Sequence, residues 1–201
     1  MPEIYLASAS PRRQELIRHL EINPRVVVSN FDEDSLSHIK DPLAYVEAAA
    51  LGKATAVAKQ YQGIVIGVDT DVVCPDGHIL GKPQNAVDAV KMLRHLSGRT
   101  HSVHSAIVLV DSTVIPHRVC SEITTTRVTF ADIPDDQLNA YVATGSPFDK
   151  AGGYGMQDQA MAFVASIDGD PSNVIGLPLV SLRRLLSSWN VTMFAELPSA
   201  E

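Results

Sequence analysis

The order of the apolar segments constrains the fold most, because short β-like runs alternate with amphipathic helical patterns through the first half of the chain. A run at Ile4 to Ala7 precedes a small-residue turn, the helix cap Ser10, Pro11 and an amphipathic stretch. An Ala-rich helix starting at Asp41-Pro42 precedes a buried-looking β run, Ile64 to Val68. This alternation predicts an α/β fold with a mixed sheet.

The remaining segments extend that pattern without an internal repeat or a long linker. We therefore expect a single domain over residues 1–201, with two lobes around one cleft. The predicted strands are Arg25 to Ser29, Val72 to Val73, Ile79 to Leu80, His101 to Val110, Arg118 to Phe130 and Phe163 to Ile167. The predicted helices are Ala86 to Leu96, Pro134 to Val142 and Leu177 to Trp189.

Composition excludes several classes of function. The net charge of −7 and the 5% aromatic content argue against binding a nucleic acid polymer, which requires a basic field or stacking surfaces. The 45% apolar content is sufficient for a core. The chain opens without a basic segment followed by an apolar run, and no stretch approaches the ~18 apolar residues of a membrane span. We expect a cytoplasmic protein with no membrane partner.

Cysteine and histidine patterns give no motif of their own. Cys74 and Cys120 lie outside any CxxC or zinc-type spacing, and we interpret them as buried reduced thiols. His101 and His104 fall on alternate faces of a strand pattern, which favours structural roles. Neither HExxH nor Gly-x-Ser-x-Gly occurs.

A first candidate site follows the first strand, where Ser8, Ser10, Arg12 and Arg13 surround the start of a helix. A helix N-terminus presents unpaired N–H groups, and arginine grips phosphate oxygens in a fork, so this cluster indicates an anion site. The alternative is an ordinary capped helix with two solvated arginines.

A second candidate site is Gly67-Val68-Asp69-Thr70-Asp71, at the end of an apolar strand. Carboxylates at such a strand end face the ligand crevice of an α/β sheet. Asp69 could hold Mg²⁺ or take a proton from an attacking water. The alternative is that both aspartates are turn residues before a hairpin. Asp71 in particular is either a second ligand of the metal or the cap of that hairpin.

Three lysines near turns, Lys53, Lys82 and Lys150, carry a weaker signal, because most such lysines are solvated surface residues. The Gly-rich segment 152–157 lets a backbone approach a ligand closely, and Gln157 within it could read a base edge.

Together these segments resemble the Maf family of nucleoside triphosphate pyrophosphatases. The matching motifs occur in family order along nearly the whole chain: Leu6-Ala7-Ser8-Ala9-Ser10-Pro11-Arg12-Arg13, Gly67-Val68-Asp69-Thr70, Gly81-Lys82-Pro83, Leu96-Ser97-Gly98 with His101, Asp149-Lys150-Ala151-Gly152, Tyr154-Gly155-Met156-Gln157 and Asn173-Val174-Ile175-Gly176-Leu177-Pro178-Leu179.

The resemblance implies a Maf/inosine-triphosphatase-like fold, with a bent mixed sheet and two lobes around a deep cleft. It implies release of pyrophosphate from a nucleoside triphosphate with a divalent cation, Mg²⁺ or Mn²⁺, held by Asp69 and Glu33. Asp69 matches the family's catalytic acidic residue. The implied substrate-binding cluster comprises Ser8, Ser10, Arg12, Arg13, Glu33, Lys53 and Lys82.

Arg12, Thr70 and Gln157 resemble the branch of the family that acts on dTTP and UTP. A Gln amide complements the donor and acceptor of a uracil or thymine edge. Three departures from the family pattern stand out. Gly52 replaces a usual Glu and predicts a looser helix, Asp71 adds a second carboxylate, and Asp158-Gln159-Ala160 replaces a more Gly-rich stretch.

The implied mechanism is deprotonation of a water by Asp69 and attack on the α-phosphorus, while Arg12, Arg13, Lys53 and Lys82 hold the triphosphate. Two alternatives stay open: a house-cleaning pyrophosphatase for modified nucleotides, and a non-catalytic nucleotide-binding regulator of septum formation. The oligomeric state is open as well, with a homodimer as one alternative, because no exposed apolar face can be identified.

Overall fold

The computed structural model describes residues 2–194 and has the expected mixed α/β architecture. Within these residues one seven-stranded sheet comprises β1 (Ile4–Leu6), β2 (Arg25–Val26), β3 (Ile64–Val73), β4 (Ile79–Leu80), β5 (Thr100–Asp111), β6 (Arg118–Phe130) and β7 (Val164–Asp168). The α-helices are α1 (Pro11–Arg18), α2 (Pro42–Ala58), α3 (Ala86–Leu96), α4 (Asp135–Ala143), α5 (Pro171–Ile175) and α6 (Leu179–Ser188).

The sheet is mixed because its first strands are parallel and its later strands are antiparallel. Its main path runs β2-β1-β3-β5-β6-β7, and β4 pairs with the far end of β3. β1 pairs in parallel with β2 and β3, while β3, β5, β6 and β7 pair antiparallel in turn. The prediction of a mixed α/β sheet is therefore confirmed.

Helices cover both faces of the sheet and bury its apolar side chains in three clusters. α1 and α6 pack on one face around Leu6, Ile66 and Leu186. α2 covers the opposite face with a small-residue surface that includes Ala50 and Ala54. The third cluster joins α3 and α4 to Val103, near the start of β5, and to Phe130, at the end of β6. Helix starts follow the capping signals, since the Ser10 hydroxyl accepts from Arg13 N–H and the Asp41 carboxylate accepts from Ala44 N–H.

Three predicted boundaries differ from the structure by two residues or more. The strand expected to run from Arg25 to Ser29 ends at Val26, because the chain leaves the sheet and residues 28–29 line a cavity. The strand expected to end at Val68 runs without interruption to Val73. The last helix begins at Leu179 rather than Leu177, and the five-residue α5 precedes it, separated by Gly176 at φ 121°.

Within residues 2–194, no helix combines the length and the apolar composition that are needed to cross a bilayer.

Candidate active site

The central strand β3 places two carboxylates on one face, toward helix α2. Asp69 and Asp71 alternate with Thr70, and both are buried, with 6% and 8% of their surface exposed. Their pairing with Ala106 and His104 on β5 keeps both in the regular ladder. The alternative that these aspartates are turn residues, or that Asp71 caps the hairpin, is therefore wrong: the turn comes only after Val73.

Helix α2 supplies the cation that faces Asp69. The Lys53 Nζ atom lies 2.5 Å from Asp69 Oδ1 and 3.0 Å from Glu33 Oε1, so one ammonium bridges two carboxylates. The helix can lie this close to β3 because Gly67 has no side chain; a Cβ there would overlap the carbonyl oxygen of Ala50. Gly67 thus sets how closely α2, which carries Lys53, approaches Asp69 on β3.

The predicted loosening of α2 at Gly52 does not occur, since the helix is continuous from Pro42 to Ala58. Gly52 instead makes room for the ring of Phe31, which a Cβ at this position would overlap. Phe31 precedes the 3-10 turn Glu33–Leu36, so this packing brings Glu33 beside Lys53. The departure from the family pattern has a structural role.

Asp71 is the least satisfied group of the site. Its Oδ2 atom is buried without a hydrogen-bond partner. Burial, and then the neighbouring charge of Asp69, raises the pKa of Asp71 to about 7, although Lys53 opposes the shift. A buried carboxylate oxygen without a donor is suited to accept a proton or a cation.

Arg13 joins the first loop to the end of β3 through hydrogen bonds to the protein. Its guanidinium donates to the backbone oxygens of Gly176 (2.8 Å) and Val68 (3.0 Å) and to the hydroxyls of Thr70 (3.0 Å) and Ser8 (3.3 Å). Burial lowers the pKa of Arg13, and the charge of Asp69 opposes this. Arg13 therefore positions the backbone of the site and places a positive charge beneath it.

On the opposite side of the site, the exposed carboxylate of Asp149 accepts hydrogen bonds from two half-buried cationic side chains, Arg12 and Lys150. Arg12 Nη1 donates to Asp149 Oδ2 at 2.5 Å, and Lys150 Nζ donates to Asp149 Oδ1 at 2.6 Å. Asp158 caps the next short helix by accepting from Ala160 N–H, so the unusual sequence after Gln157 orders this loop.

One cavity of about 690 Å³ collects every side chain that the sequence singled out for the site. This volume lies in the range of small-ligand pockets. The predicted residues that line it are Ser8, Ser10, Arg12, Arg13, Glu33, Lys53, Asp69, Thr70, Lys82 and Gln157. Lys150, one of the three candidate lysines, also lines the cavity. Two other polar lining residues, Tyr45 and Asp149, were not selected from the sequence. Asp149 stood within the motif Asp149-Lys150-Ala151-Gly152, which was the available signal.

The side chains of this cavity fall into two groups that differ in burial. The inner group comprises Arg13, Lys53, Asp69 and Thr70, which are buried or half-buried and bonded to one another or to the backbone. The rim group comprises Arg12, half-buried in the first turn of α1, and the exposed residues Lys82, Asp149 and Gln157, which lie outside the α-helices and strands. Cationic side chains from distant segments thus converge on the Asp69 carboxylate, which lies within β3 rather than at a strand end as predicted.

Such a fold and site define a class of α/β proteins that bind an anionic ligand beside a buried acid. The family is established by comparison with known proteins: the model of the family described as Maf-like protein matches residues 3–189. The chain belongs to the Maf family, as its motifs predicted.

Curated relatives align along almost their whole length. A dTTP/UTP pyrophosphatase of Moorella thermoacetica is 45% identical over 96% of this chain and 98% of its own. A dTTP/UTP pyrophosphatase of Symbiobacterium thermophilum is 44% identical over 96% of this chain and 97% of its own. Among solved structures, a nucleoside-triphosphatase/dITP/XTP pyrophosphatase of Mycobacterium abscessus superposes with a TM-score of 0.47 at 17% identity, over 93% of this chain and 97% of that one.

Proposed function

We propose that this protein hydrolyses dTTP and UTP to the nucleoside monophosphate and pyrophosphate. The observation that carries the proposal is the buried Asp69 carboxylate, fixed by Lys53 at 2.5 Å within a cavity lined by Arg12 and Lys82. A triphosphate requires several cationic groups in one hollow, and its hydrolysis requires one oriented acceptor for the proton of water. The names of the relatives that align along their whole length support dTTP and UTP as substrates.

The reaction we propose is an attack of water on the α-phosphorus. Asp69 accepts the proton of that water, a P–O bond forms at the α-phosphorus, and the bond to the bridging oxygen breaks with its electron pair leaving on pyrophosphate. Lys53 holds the Asp69 carboxylate in one orientation. Arg12 and Lys82 bind the phosphate oxygens and spread the negative charge that accumulates on the leaving group.

The donor set at the inner end of the cavity fits a hard divalent cation, Mg²⁺ or Mn²⁺. Carboxylate oxygens are the ligands such cations prefer, and the buried Asp71 Oδ2 lacks any partner. Asp69 and Glu33 would hold the ion, with Asp71 next to Asp69 on the strand. When bound, the ion would supply charge neutralisation and Lewis acidity at the phosphates.

The test is to incubate the protein with Mg²⁺ and a panel of nucleotides and to measure pyrophosphate. We expect dTTP and UTP to give the highest kcat/KM, and Asp69→Asn to lower turnover by ~10²-fold or more, as is typical when a general base is lost. Asp168→Asn, at an exposed carboxylate on β7, is the matched control and should leave turnover unchanged.

Three results would count against this proposal. Near wild-type turnover by a folded Asp69→Asn protein would remove the role of that residue. Nucleotide binding without pyrophosphate release by the wild type would favour the regulatory alternative. Higher kcat/KM for modified-base triphosphates than for dTTP and UTP would favour a house-cleaning pyrophosphatase.

A further inference from the structure

Outside the cleft, potential metal ligands cluster where the β3–β4 hairpin meets the end of helix α3. The hairpin turn has the sequence Cys74-Pro75-Asp76-Gly77-His78. It is closed by hydrogen bonds from Cys74 N–H to the His78 oxygen (2.8 Å) and from Gly77 N–H to the Cys74 oxygen (2.9 Å). Gly77 supplies the positive φ of 87° that the turn requires. This closure places Cys74 and His78 opposite each other.

A fourth potential ligand arrives from the neighbouring helix. His95 lies in the last turn of α3, and its Nε2 atom is 3.2 Å from Asp76 Oδ2. The other carboxylate oxygen, Asp76 Oδ1, is 3.2 Å from His78 Nδ1. The ligand atoms of Cys74, Asp76 and His95 all lie within 4.8 Å of one another. Within residues 2–194, no other group of three or more His, Cys, Asp or Glu residues brings its ligand atoms this close together.

We propose that Cys74, Asp76, His78 and His95 form a binding site for a zinc-like divalent transition ion. One thiolate, two imidazoles and one carboxylate are ligands that zinc accepts in tetrahedral sites. Bond lengths of about 2.0–2.3 Å in such sites place ligand atoms roughly 3.3–3.8 Å apart. His78 stands outside the converging group of three, and its exposed side chain, like that of Asp76, would rotate toward the ion to complete the site.

This site differs chemically from the one proposed for catalysis. The inner end of the cleft offers carboxylate oxygens, which suit Mg²⁺ or Mn²⁺, whereas the hairpin offers sulfur and nitrogen, which select softer ions. Binding exchanges the Cys74 thiol proton for the metal and releases that proton. The proposal stands independently of the proposed function, since it uses none of the residues of the cleft.

The expected consequence is that the ion ties the hairpin to α3. β4 leads directly into Gly81 and Lys82, and the Gly81 oxygen accepts from Gly152 N–H at 3.0 Å. An ion at the hairpin would therefore restrain the segment that carries Lys82 into the cleft. The metal would act on stability and order, and it would take no part in the reaction.

Cobalt(II) titration of the reduced, metal-free full chain tests the site directly. We expect one Co²⁺ per chain, with the sulfur-to-cobalt charge-transfer absorption of thiolate ligation, displaced by Zn²⁺. The band should be lost in Cys74→Ser and lost or strongly weakened in His95→Ala. It should remain in the matched controls Cys120→Ser and His117→Ala, and in Asp69→Asn, which separates this site from the cleft. Saturating Zn²⁺ should raise the wild-type Tm by about 5 °C or more, but not that of folded Cys74→Ser.

Three outcomes would overturn the proposal. One is the absence of a charge-transfer band in the reduced wild type at a Co²⁺ excess. Another is a band that survives Cys74→Ser and disappears in Cys120→Ser. The third is a band that persists unchanged in folded His95→Ala and His78→Ala proteins, because it would then report a lone thiol rather than a built site. Circular dichroism of each variant establishes that the fold is retained.

Discussion

The inner group and the rim group of the cleft hold their charges in different ways. In the inner group the Lys53 and Asp69 side chains are only 13% and 9% exposed, and the ion pair is locked between a helix and a strand. On the rim, the side chains of Arg12 and Asp149 are 25% and 61% exposed. Their ion pair links two segments that lie 137 residues apart in the sequence. A buried pair keeps its geometry and is weakly screened, whereas an exposed pair exchanges readily with a ligand.

This difference predicts separate tasks for the two groups in the proposed reaction. A water must be oriented to within a fraction of an ångström, which suits side chains held by packing. Phosphate and base must enter and leave, which suits side chains whose partners can be replaced by the substrate. If the comparison holds, changes in the inner group reduce turnover, while changes on the rim raise KM or alter substrate preference.

The largest effect is expected for Lys53→Met. It leaves Asp69 and Glu33 without the cation that bridges them, so the proposed base loses its orientation and the triphosphate loses a charge. We expect kcat to fall by about 10²-fold, the usual loss when one preorganised electrostatic group is removed. Pyrophosphate release under saturating dTTP measures it. Lys59→Met, at the exposed end of the same helix, is the control, and equal losses in both proteins would contradict the prediction.

A second prediction concerns the support beneath the rim. His101 is 2% exposed, its Nε2 atom lies 2.7 Å from the hydroxyl of the cavity-lining Tyr154, and its ring meets Phe130 edge-on. Burial lowers the pKa of His101 to about 4. In the unfolded chain a histidine binds a proton below about pH 6.5. The contribution of this residue to stability should therefore be complete above that pH and decline as the pH falls toward 4, by about 3 kcal/mol.

Replacing His101 by Gln should make the unfolding free energy less sensitive to pH over that window. Denaturant unfolding at pH 7 and pH 4.5 gives the difference for each protein. His117→Gln, an exposed position, should keep the wild-type dependence. The same pH dependence in His101→Gln as in the wild type would show that His101 does not titrate as its burial requires.

The sequence predicted most accurately those elements whose periodic pattern of apolar residues extends over many positions. The β5 and β6 strands and helix α3 were placed to within about one residue, because alternating or 3.6-residue patterns persist over many positions. The five-residue helix α5 was missed, since it is too short to show any period. β2 was predicted too long because Val28 and Ser29 leave the sheet toward the cavity, which local pattern does not specify.

For the candidate site, the sequence identified individual residues but not the contacts between distant segments. Residue types and motif positions identified Asp69 and Arg12, and the structure places both in one cavity. The Arg12–Asp149 pair could not be predicted, because it depends on how distant loops meet. The ligands of the hairpin cluster also escaped notice, since Cys74 and His95 come from different elements without a zinc-type spacing.

A smaller effect is expected for Arg12→Met on the rim. Arg12 already shares its charge with Asp149, and the pair is partly solvated, so the substrate gains only part of one ionic contact. We expect KM for dTTP to rise by about tenfold with kcat nearly unchanged, as for uniform loss of binding. Arg18→Met, exposed at the end of the same helix, is the matched control. A decrease in kcat without a rise in KM would contradict the prediction, because Arg12 would then act as the inner group is expected to act.

The smallest effect is expected for Gln157→Glu. This variant tests whether the rim group contacts the base of the nucleotide. Gln157 is exposed, lines the cavity, and stands on a loop ordered by the Asp158 cap. Exchanging its amide for a carboxylate removes the donor that a uracil or thymine carbonyl would accept from, so kcat/KM for dTTP and UTP should fall about fivefold, the loss of one hydrogen bond. Gln159→Glu adds the same charge two residues away, at a position outside the cavity lining, and controls for electrostatics. If both variants lose activity equally, and equally for purine nucleotides, charge alone explains the effect and Gln157 does not contact the base.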